Sequence, residues 1–425
     1  MSRVLLIAAT TGYQTRAFDQ AAAALGVELV YATDRCKGLD DPWHDAAIPV
    51  RFHEPAESIA RLVDAARARP IDAVLGVGDR PAVLAARAAA ALGLPGHSPE
   101  GAAAATSKPL SRGRFTAAGL PMPWFFTMAL DGTFDAVADR IALPCVLKPL
   151  ALSGSRGVMR ADTPEAFTAA AARLRDLLLT PEIRALKDPA HDEILVEGFV
   201  PGPEFALEGV TDAGGLRVFA VFEKPDPLDG PFFEETIYVT PALLSRERLA
   251  EGAATVAHAA AALGLVHGPV HAEFRLSPAG TFVLEVAPRP IGGLCARALR
   301  FAGRGEVGLS LERLLLQHAL GDTLEGYGLE ALASAVMMIP IPRRGHYAGV
   351  DGVEEARLVP GVDDVVVTAK PGQLMIPLPE GGSYLGFVFA RASTPAAACE
   401  AVRAAHARLR FRFETSVAIA PPATP

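Results

Sequence analysis

Glu273 and Glu285 lie on either side of a turn in HAEFRLSPAGTFVLEVAPR, residues 271 to 289, each the same distance from Ala279. A hairpin symmetric about Ala279 pairs them directly and turns both to one face, with His271 opposite Ala287. Like charges in that position weaken a sheet. At about 5 Å they repel by ~0.8 kcal/mol in water and by roughly 3 kcal/mol at the effective dielectric of a cleft. A positive group between them offsets the repulsion, so the chemistry expected of the pair is cation binding. The opposite face, Ala272, Phe274, Leu276, Phe282, Leu284 and Val286, is an apolar row that sets the register by burial.

Two other stretches suit such a cation. CVLKPLALSGSRGV places Lys148 at a strand end, before Ser153, Gly154, Ser155, Arg156 and Gly157, a small-residue loop whose amides can approach phosphate oxygens. ILVEGFVPGPEF places Glu197 at another strand end, with Val200 and Glu204 on either side of a Pro-Gly-Pro corner. Adenine needs an acceptor for its exocyclic amine, and a ribose diol suits a carboxylate that accepts two hydrogen bonds. Together these stretches outline a nucleotide and metal site without the GxxxxGK[ST] phosphate loop, which is absent from the sequence.

The elements that must carry these groups follow from periodicity. Over the first hundred residues, RVLLIAAT, VELVYAT and IDAVLGVGD read as strands separated by helices at 15–25, 56–68 and 81–92, which implies a parallel sheet with helices on its faces. Gly76-Val77-Gly78 lacks the third glycine of a dinucleotide fingerprint, and Pro81 follows. A helix at 108–118 leads into short strands and helices up to residue 200. DEILVEGFV, PEFALEGV and LRVFAVFEKPD continue as strands, and Ala-rich helices at 246–263 and 309–319 bracket the hairpin. Beyond 335 the pattern is a compact mixed α/β tail with a helix at 395–408.

Composition excludes several classes of function. The chain has 425 residues, half of them hydrophobic, with a net charge of −8, which argues against a broad nucleic-acid or acidic-membrane surface. No apolar run approaches the ~20 residues of a membrane span, and MSRVLLIAAT lacks a signal-peptide pattern. Cys36, Cys145, Cys295 and Cys399 lie far apart with no CxxC spacing, so a reducing cytoplasm is the expected compartment. The terminal APPATP is the one segment expected to be a disordered tail.

From the Ser/Gly loop through Glu197 and Glu204 to the paired glutamates and Arg289, the chain resembles the ATP-grasp ligases over nearly all of its length. The resemblance implies an α/β (α+β) ATP-grasp fold. An N-terminal parallel α/β domain would span 1–100 and a two-part ATP-grasp domain 101–325, with its lid at about 122–200. A small C-terminal α/β domain would span 326–425. Carried over residue by residue, Lys148 and Lys108 of TSKPLSR hold the phosphates together with Ser153, Gly154, Ser155 and Gly157. Glu197 and Val200 fall at the adenine linker, Glu204 at the ribose, and Glu273 and Glu285 on Mg2+, with Mn2+ as its substitute. Ala287 stands where many members have Asn, which leaves the metals two carboxylates, phosphates and water; magnesium tolerates that.

Within that superfamily, EVAPRPIGG and PFFEETIYVTP are most similar to the amino-acid ligases that make dipeptides. That likeness implies that Gly292 and Gly293 line a loop for a substrate carboxylate, that Glu235 contacts the substrate amine, and that Arg289 and Lys148 are catalytic. Tyr238 replaces a histidine frequent in the family. The implied activity joins a small-molecule carboxylate to an amine, using ATP and releasing ADP, by way of an acyl phosphate. No nucleic-acid or membrane partner is implied, and homodimers are common among the relatives.

Rival readings differ in what they require. A biotin-carboxylase-like enzyme needs the Gln-x-Glu-His run after the arginine, which is missing, and no Met-Lys-Met site is present. A purine-pathway carboxylating enzyme uses bicarbonate or a ribonucleotide, a simple kinase needs no amine, and Ala287 suggests a nucleotide-binding module without catalysis. Each residue also has a structural explanation. A solvated hairpin face accounts for the glutamates, a turn for Gly292 and Gly293, packing or capping for His271, a core or pocket wall for Trp124, Phe232 and Phe233, and an ion pair for Asp79 with Arg80.

Overall fold

The computed structural model describes residues 1–9, 14–34 and 47–414; Cys36 and the APPATP terminus lie outside the described residues. The chain begins with β1 (Arg3–Ala8), α1 (Thr15–Leu25), β2 (Glu28–Thr33), β3 (Ile48–Pro49), α2 (Pro55–Ala68), β4 (Ala73–Val77) and α3 (Asp79–Leu92). The strands form a parallel sheet in the order β3-β2-β1-β4, as the alternation of strand and helix requires. β1 is apolar and almost wholly buried, because helices cover both faces of such a sheet. α3 begins two residues earlier than its apolar pattern indicates. Pro81 sits in its first turn, where a missing N–H costs nothing.

Two short helices, α4 (Pro99–Ala105) and α5 (Lys108–Ala117), then enter the central region. The lid sheet consists of β5 (Phe125–Ala129), β6 (Cys145–Pro149), β7 (Met159–Ala161) and β8 (Glu193–Gly198), in the order β5-β8-β6-β7, and the helix Pro164–Leu178 packs against it through Phe167, Leu174 and Leu178. A second sheet carries β9 (Glu204–Asp212), β10 (Gly215–Glu223), β11 (Ile237–Thr240), β12 (Gly268–Ser277) and β13 (Gly280–Ala287). Its order is β13-β12-β9-β10-β11, and it continues through the strands Ala333–Ile339, Gly386–Ala392 and Val362–Val367 without a break. The tail is therefore joined edge to edge with the central sheet, through the four residue pairs of β11 with Ala333–Ile339.

The chain crosses from the lid to this sheet at the Pro-Gly-Pro corner. There Gly202 has a φ of 119°, and a Cβ would sit 2.3 Å from the carbonyl of Leu276, so the crossing requires glycine. Beneath it Phe205 and Phe274 stack with ring centroids 5.5 Å apart, between β9, β12 and the helix Arg246–Leu263. Each such buried ring contributes on the order of 1.5–3 kcal/mol to holding the sheet against that helix.

Candidate active site

The hairpin β12–β13 pairs Glu273 with Glu285 and His271 with Ala287, the register expected from the sequence. A bulge after Glu273 shifts the remaining pairs, so Phe274 faces Val283 and the strands meet at Ser277 and Gly280. The expected apolar row is thereby corrected. Val283 is buried while Phe282 is only half-buried, and Leu284 joins Glu285 on a cavity wall. The bulge turns the glutamate end of the hairpin away from the alternation of the rest.

That cavity has a volume of about 420 Å³ and lies between the N-terminal sheet, the lid, the hairpin and the tail. Lys108, Lys148, Ser153, Gly154, Ser155, Glu197, Val200 and Glu204 line one part of it, and Glu235, Glu273, Glu285, Arg289, Gly292 and Gly293 the rest. Gly157 stands off the wall. Its amide donates to the carbonyl of Pro379 at 2.8 Å, and it has a left-handed φ of 76°.

The cations around the glutamates are the protein's own. Lys224, a residue the sequence reading passed over, ends β10 and inserts its Nζ among three carboxylates, 2.6 Å from Glu204, 2.7 Å from Glu235 and 3.0 Å from Glu273. Those three acids converge, with oxygens within 4.8 Å of one another. Burial disfavours the charged ammonium, but the three carboxylates outweigh it and hold Lys224 well above the usual lysine range. Burial also works against the Glu273 carboxylate, and Lys224 and His271 overcome it, holding Glu273 well below its usual range. Glu235 has a weaker share of this charge. Burial and its acidic neighbours push it up to about 7 despite Lys224, and the Tyr238 hydroxyl donates to its second oxygen at 2.9 Å.

His271 is a cavity group with a fixed partner. Its Nδ1–H donates to Glu208, and the Glu208 charge outweighs burial and raises the imidazole to about 9. Its Nε2 lies 3.6 Å from Glu273. The other Glu208 oxygen accepts the N–H of Ile291 at 3.1 Å, while Gln14 donates to the Ile291 carbonyl, so both sides of the loop before Gly292 and Gly293 are pinned. Gly293 has a φ of 61°, and a Cβ there would press to 3.2 Å on Phe387.

Asp79 pairs with Arg289, not with Arg80 as the sequence suggested: Arg289 Nε donates to Asp79, and its Nη2 lies 3.9 Å from Glu285. The guanidinium is thus aimed by an acid from α3, and Arg80 donates instead to the Leu186 carbonyl at 3.3 Å. Lys108 Nζ donates to the carbonyls of Leu152 and Leu150 at 3.0 and 3.4 Å, which fixes its head at the mouth of the Ser/Gly loop. Burial lowers its pKa, with Glu285 opposing.

Glu197 is already committed. Arg112 Nε donates to it at 2.9 Å and Lys148 Nζ lies 2.5 Å away, and these cations outweigh burial to bring the carboxyl to about 2. It anchors Lys148. Arg275, also unforeseen, braces the 197–204 linker with three donations: to Glu204 at 2.8 Å, to the Val200 carbonyl at 2.7 Å and to the Leu228 carbonyl at 2.5 Å. The aromatic residues divide as expected: Phe233 lines the cavity, Trp124 stacks on Phe126 in the lid, and Phe232 bridges to Met159.

Comparison with known proteins agrees with this geometry. An ATP-grasp N-terminal domain matches residues 18–96, an ATP-grasp domain 141–298, and an L-amino acid ligase C-terminal domain 337–414. An uncharacterized protein of Sinorhizobium fredii is 31% identical over 72% of this chain and 60% of its own length. A D-alanine–D-alanine ligase of Ralstonia pickettii is 28% identical over 52% of this chain and 65% of its own. The chain thus spans less than two thirds of the length of either curated relative. The crystal structure of an L-amino acid ligase from Bacillus licheniformis superposes with a TM-score of 0.81, covering 98% of this chain and 99% of that one at 24% identity, which shows a shared fold. Among the described residues no helix is long and apolar enough to cross a membrane.

Proposed function

The chain belongs to the ATP-grasp proteins, and from that premise we propose that it is an ADP-forming ligase joining the carboxylate of one small molecule to the amine of another, at least one of them an amino acid. One observation carries the reading. The Glu273–Glu285 pair shares a single cavity with Lys148, Lys108 and the 153–155 loop and with Glu235, Arg289 and the Gly292–Gly293 loop. Phosphate-holding groups and groups suited to an amino acid thus meet around one pair of acids.

In this reading the nucleoside lies along the 197–204 linker, with its ribose at Glu204, and Lys148 and Lys108 hold the phosphates beneath the Ser153–Ser155 loop. Glu273 and Glu285 offer hard oxygen donors on the cavity face and fit magnesium, or manganese in its place, and would hold it there. When bound, the ion neutralises charge on the terminal phosphate oxygens. The chain's own residues do the rest. The substrate carboxylate attacks the γ-phosphorus, ADP leaves, and the acyl phosphate is shielded from water by the closed loop. Gly292 and Gly293 amides hold a substrate carboxylate, and Glu235 contacts a substrate amine. Arg289, aimed by Asp79, stabilises the oxyanion of the tetrahedral intermediate as the amine attacks and phosphate leaves. Small-molecule substrates and a reducing cytoplasm suit the free thiols of Cys145, Cys295 and Cys399.

The test is a phosphate-release screen over amino-acid pairs and related carboxylates, with mass spectrometry of the product and bicarbonate as a parallel arm. Phosphate release that needs both partners and yields an amide is the expected result, and Glu273→Gln and Glu285→Gln should each abolish it while leaving the fold intact. Full activity in both variants overturns the assignment, and release with bicarbonate alone favours a carboxylating enzyme.

A further inference from the structure

We propose that a second cavity, of about 320 Å³ and bounded by α3, α5 and the lid segment 186–189, is an oxyanion site that serves the reaction centre from its outer side. The two cavities share Asp79, Lys108, Leu152, Leu284 and Glu285, so the wall between them is built from the groups placed at the terminal phosphates. Neither Glu197 nor Val200 lines the second cavity. It therefore opens toward the phosphate end and not toward the nucleoside.

Its charge points to the ligand. Arg80 and Arg87 stand two turns apart on one face of α3, and Lys187 faces them from the lid. The Arg87 and Lys187 head groups, both on exposed residues, have no side-chain partner among the described residues, whereas of the three acids on the wall Asp79 pairs with Arg289, Glu285 lies 3.9 Å from the same guanidinium, and Asp188 accepts the Ala190 N–H at 3.0 Å. Arg80 is held over the Phe52 ring at 5.4 Å with one donor on Leu186, leaving the rest of its fork free. A chain of net charge −8 thus concentrates uncommitted cations in one concave place. Planar, multi-donor cations of this kind recognise carboxylate and phosphate oxygens. The ligase reading, on which the identity of the anion rests, supplies two such groups at this end: the carboxylate of the incoming amine substrate and the departing inorganic phosphate.

The binding test does not depend on turnover. Inorganic phosphate titrated calorimetrically into the full chain loaded with MgADP should bind, and Arg87→Gln or Lys187→Gln should weaken it roughly tenfold, the value of one charge-assisted contact, with ADP affinity unchanged. Equal phosphate affinity in wild type and both variants overturns the proposal, even if the protein proves to be a ligase. Loss of phosphate binding with no turnover for any substrate pair keeps the site and removes the ligase reading. Where turnover is found, a raised KM for an amino-acid amine but not for its amide marks the substrate carboxylate as occupant. Relief of product inhibition by phosphate, with that KM unchanged, marks the exit of phosphate.

Discussion

Replacing Arg275 with Met removes the guanidinium that joins the hairpin to the nucleotide linker while keeping most of its apolar stem. Three acceptors lose a donor: one Glu204 oxygen, the Val200 carbonyl and the Leu228 carbonyl. A buried acceptor left without a partner costs about 1–3 kcal/mol. Glu204 keeps Lys224 at 2.6 Å and so is not stranded. The sum over the two carbonyls and the weakened carboxylate is then roughly 3–5 kcal/mol, offset in part by any water that enters. Because Glu204 and Val200 are the groups placed against ribose and adenine, their loosening should also weaken ATP binding by about 10–100-fold, or roughly 1.4–2.8 kcal/mol. Urea melts measure the first effect and ATP titration of the folded variant the second, with Arg275→Lys, which restores the charge but not the three-way geometry, falling between. An ATP affinity within about twofold of wild type, in a variant that melts cooperatively, refutes the claim that this brace positions the nucleotide site.

Two further outcomes follow from the same structure. His97 is buried with its Nε2 on the Pro269 carbonyl at 2.9 Å and its Nδ1 unpartnered, and burial lowers its pKa to about 4. The unfolded chain, with histidine near 6.5, therefore binds more protons between those values. The His97 contribution to stability should be full above pH 6.5 and lost as pH falls toward 4, by about 2 kcal/mol at pH 5, read as the difference between wild type and His97→Gln because Glu235 and His271 act in the opposite sense. Urea melts at pH 7 and pH 5 check this, and His97→Gln should flatten the slope. The Ser/Gly loop is latched to the tail: Arg156 donates to the Glu380 carbonyl at 2.8 Å, and Arg173 pairs with the Glu380 carboxylate at 2.6 Å. Arg156→Ala should release the loop and let water reach the acyl phosphate. The ratio of phosphate released to amide formed, read by mass spectrometry, should rise by roughly fivefold; an unchanged ratio means the latch does not guard the intermediate.

What the sequence made legible divides along a physical line. The hairpin could be read because its information is local: alternation sets the faces, the turn sets the centre, and the Glu273–Glu285 pairing follows from both. The bulge beside it could not, since its extra residue, Leu284, continues the apolar alternation and leaves no mark in it. The strand and helix alternation of the first hundred residues was likewise local, except for the start of α3, which lies two residues before its apolar pattern. The cations that neutralise the site were not. Lys224 meets Glu273 across 49 residues, Arg112 meets Glu197 across 85 and Arg289 meets Asp79 across 210.

That distinction alters how the paired glutamates are to be understood. Sequence alone made their repulsion an argument for a bound ion. In the folded chain Lys224 and His271 attend Glu273, and Arg289 lies 3.9 Å from Glu285, so the protein's own cations offset part of the repulsion. The acids are then poised rather than merely tolerated. Were a divalent ion held by Glu273 and Glu285, as proposed, it would share Glu273 with an ammonium already bound by three carboxylates, and only Glu273 among those three sits opposite Glu285. Lys224 also ties Glu204 to Glu235, which links the group placed at the ribose to the group placed at the substrate amine through one buried charge. The group proposed for the nucleotide and the group proposed for the substrate are thus joined by one buried ammonium, through residues that no local pattern in the sequence connects.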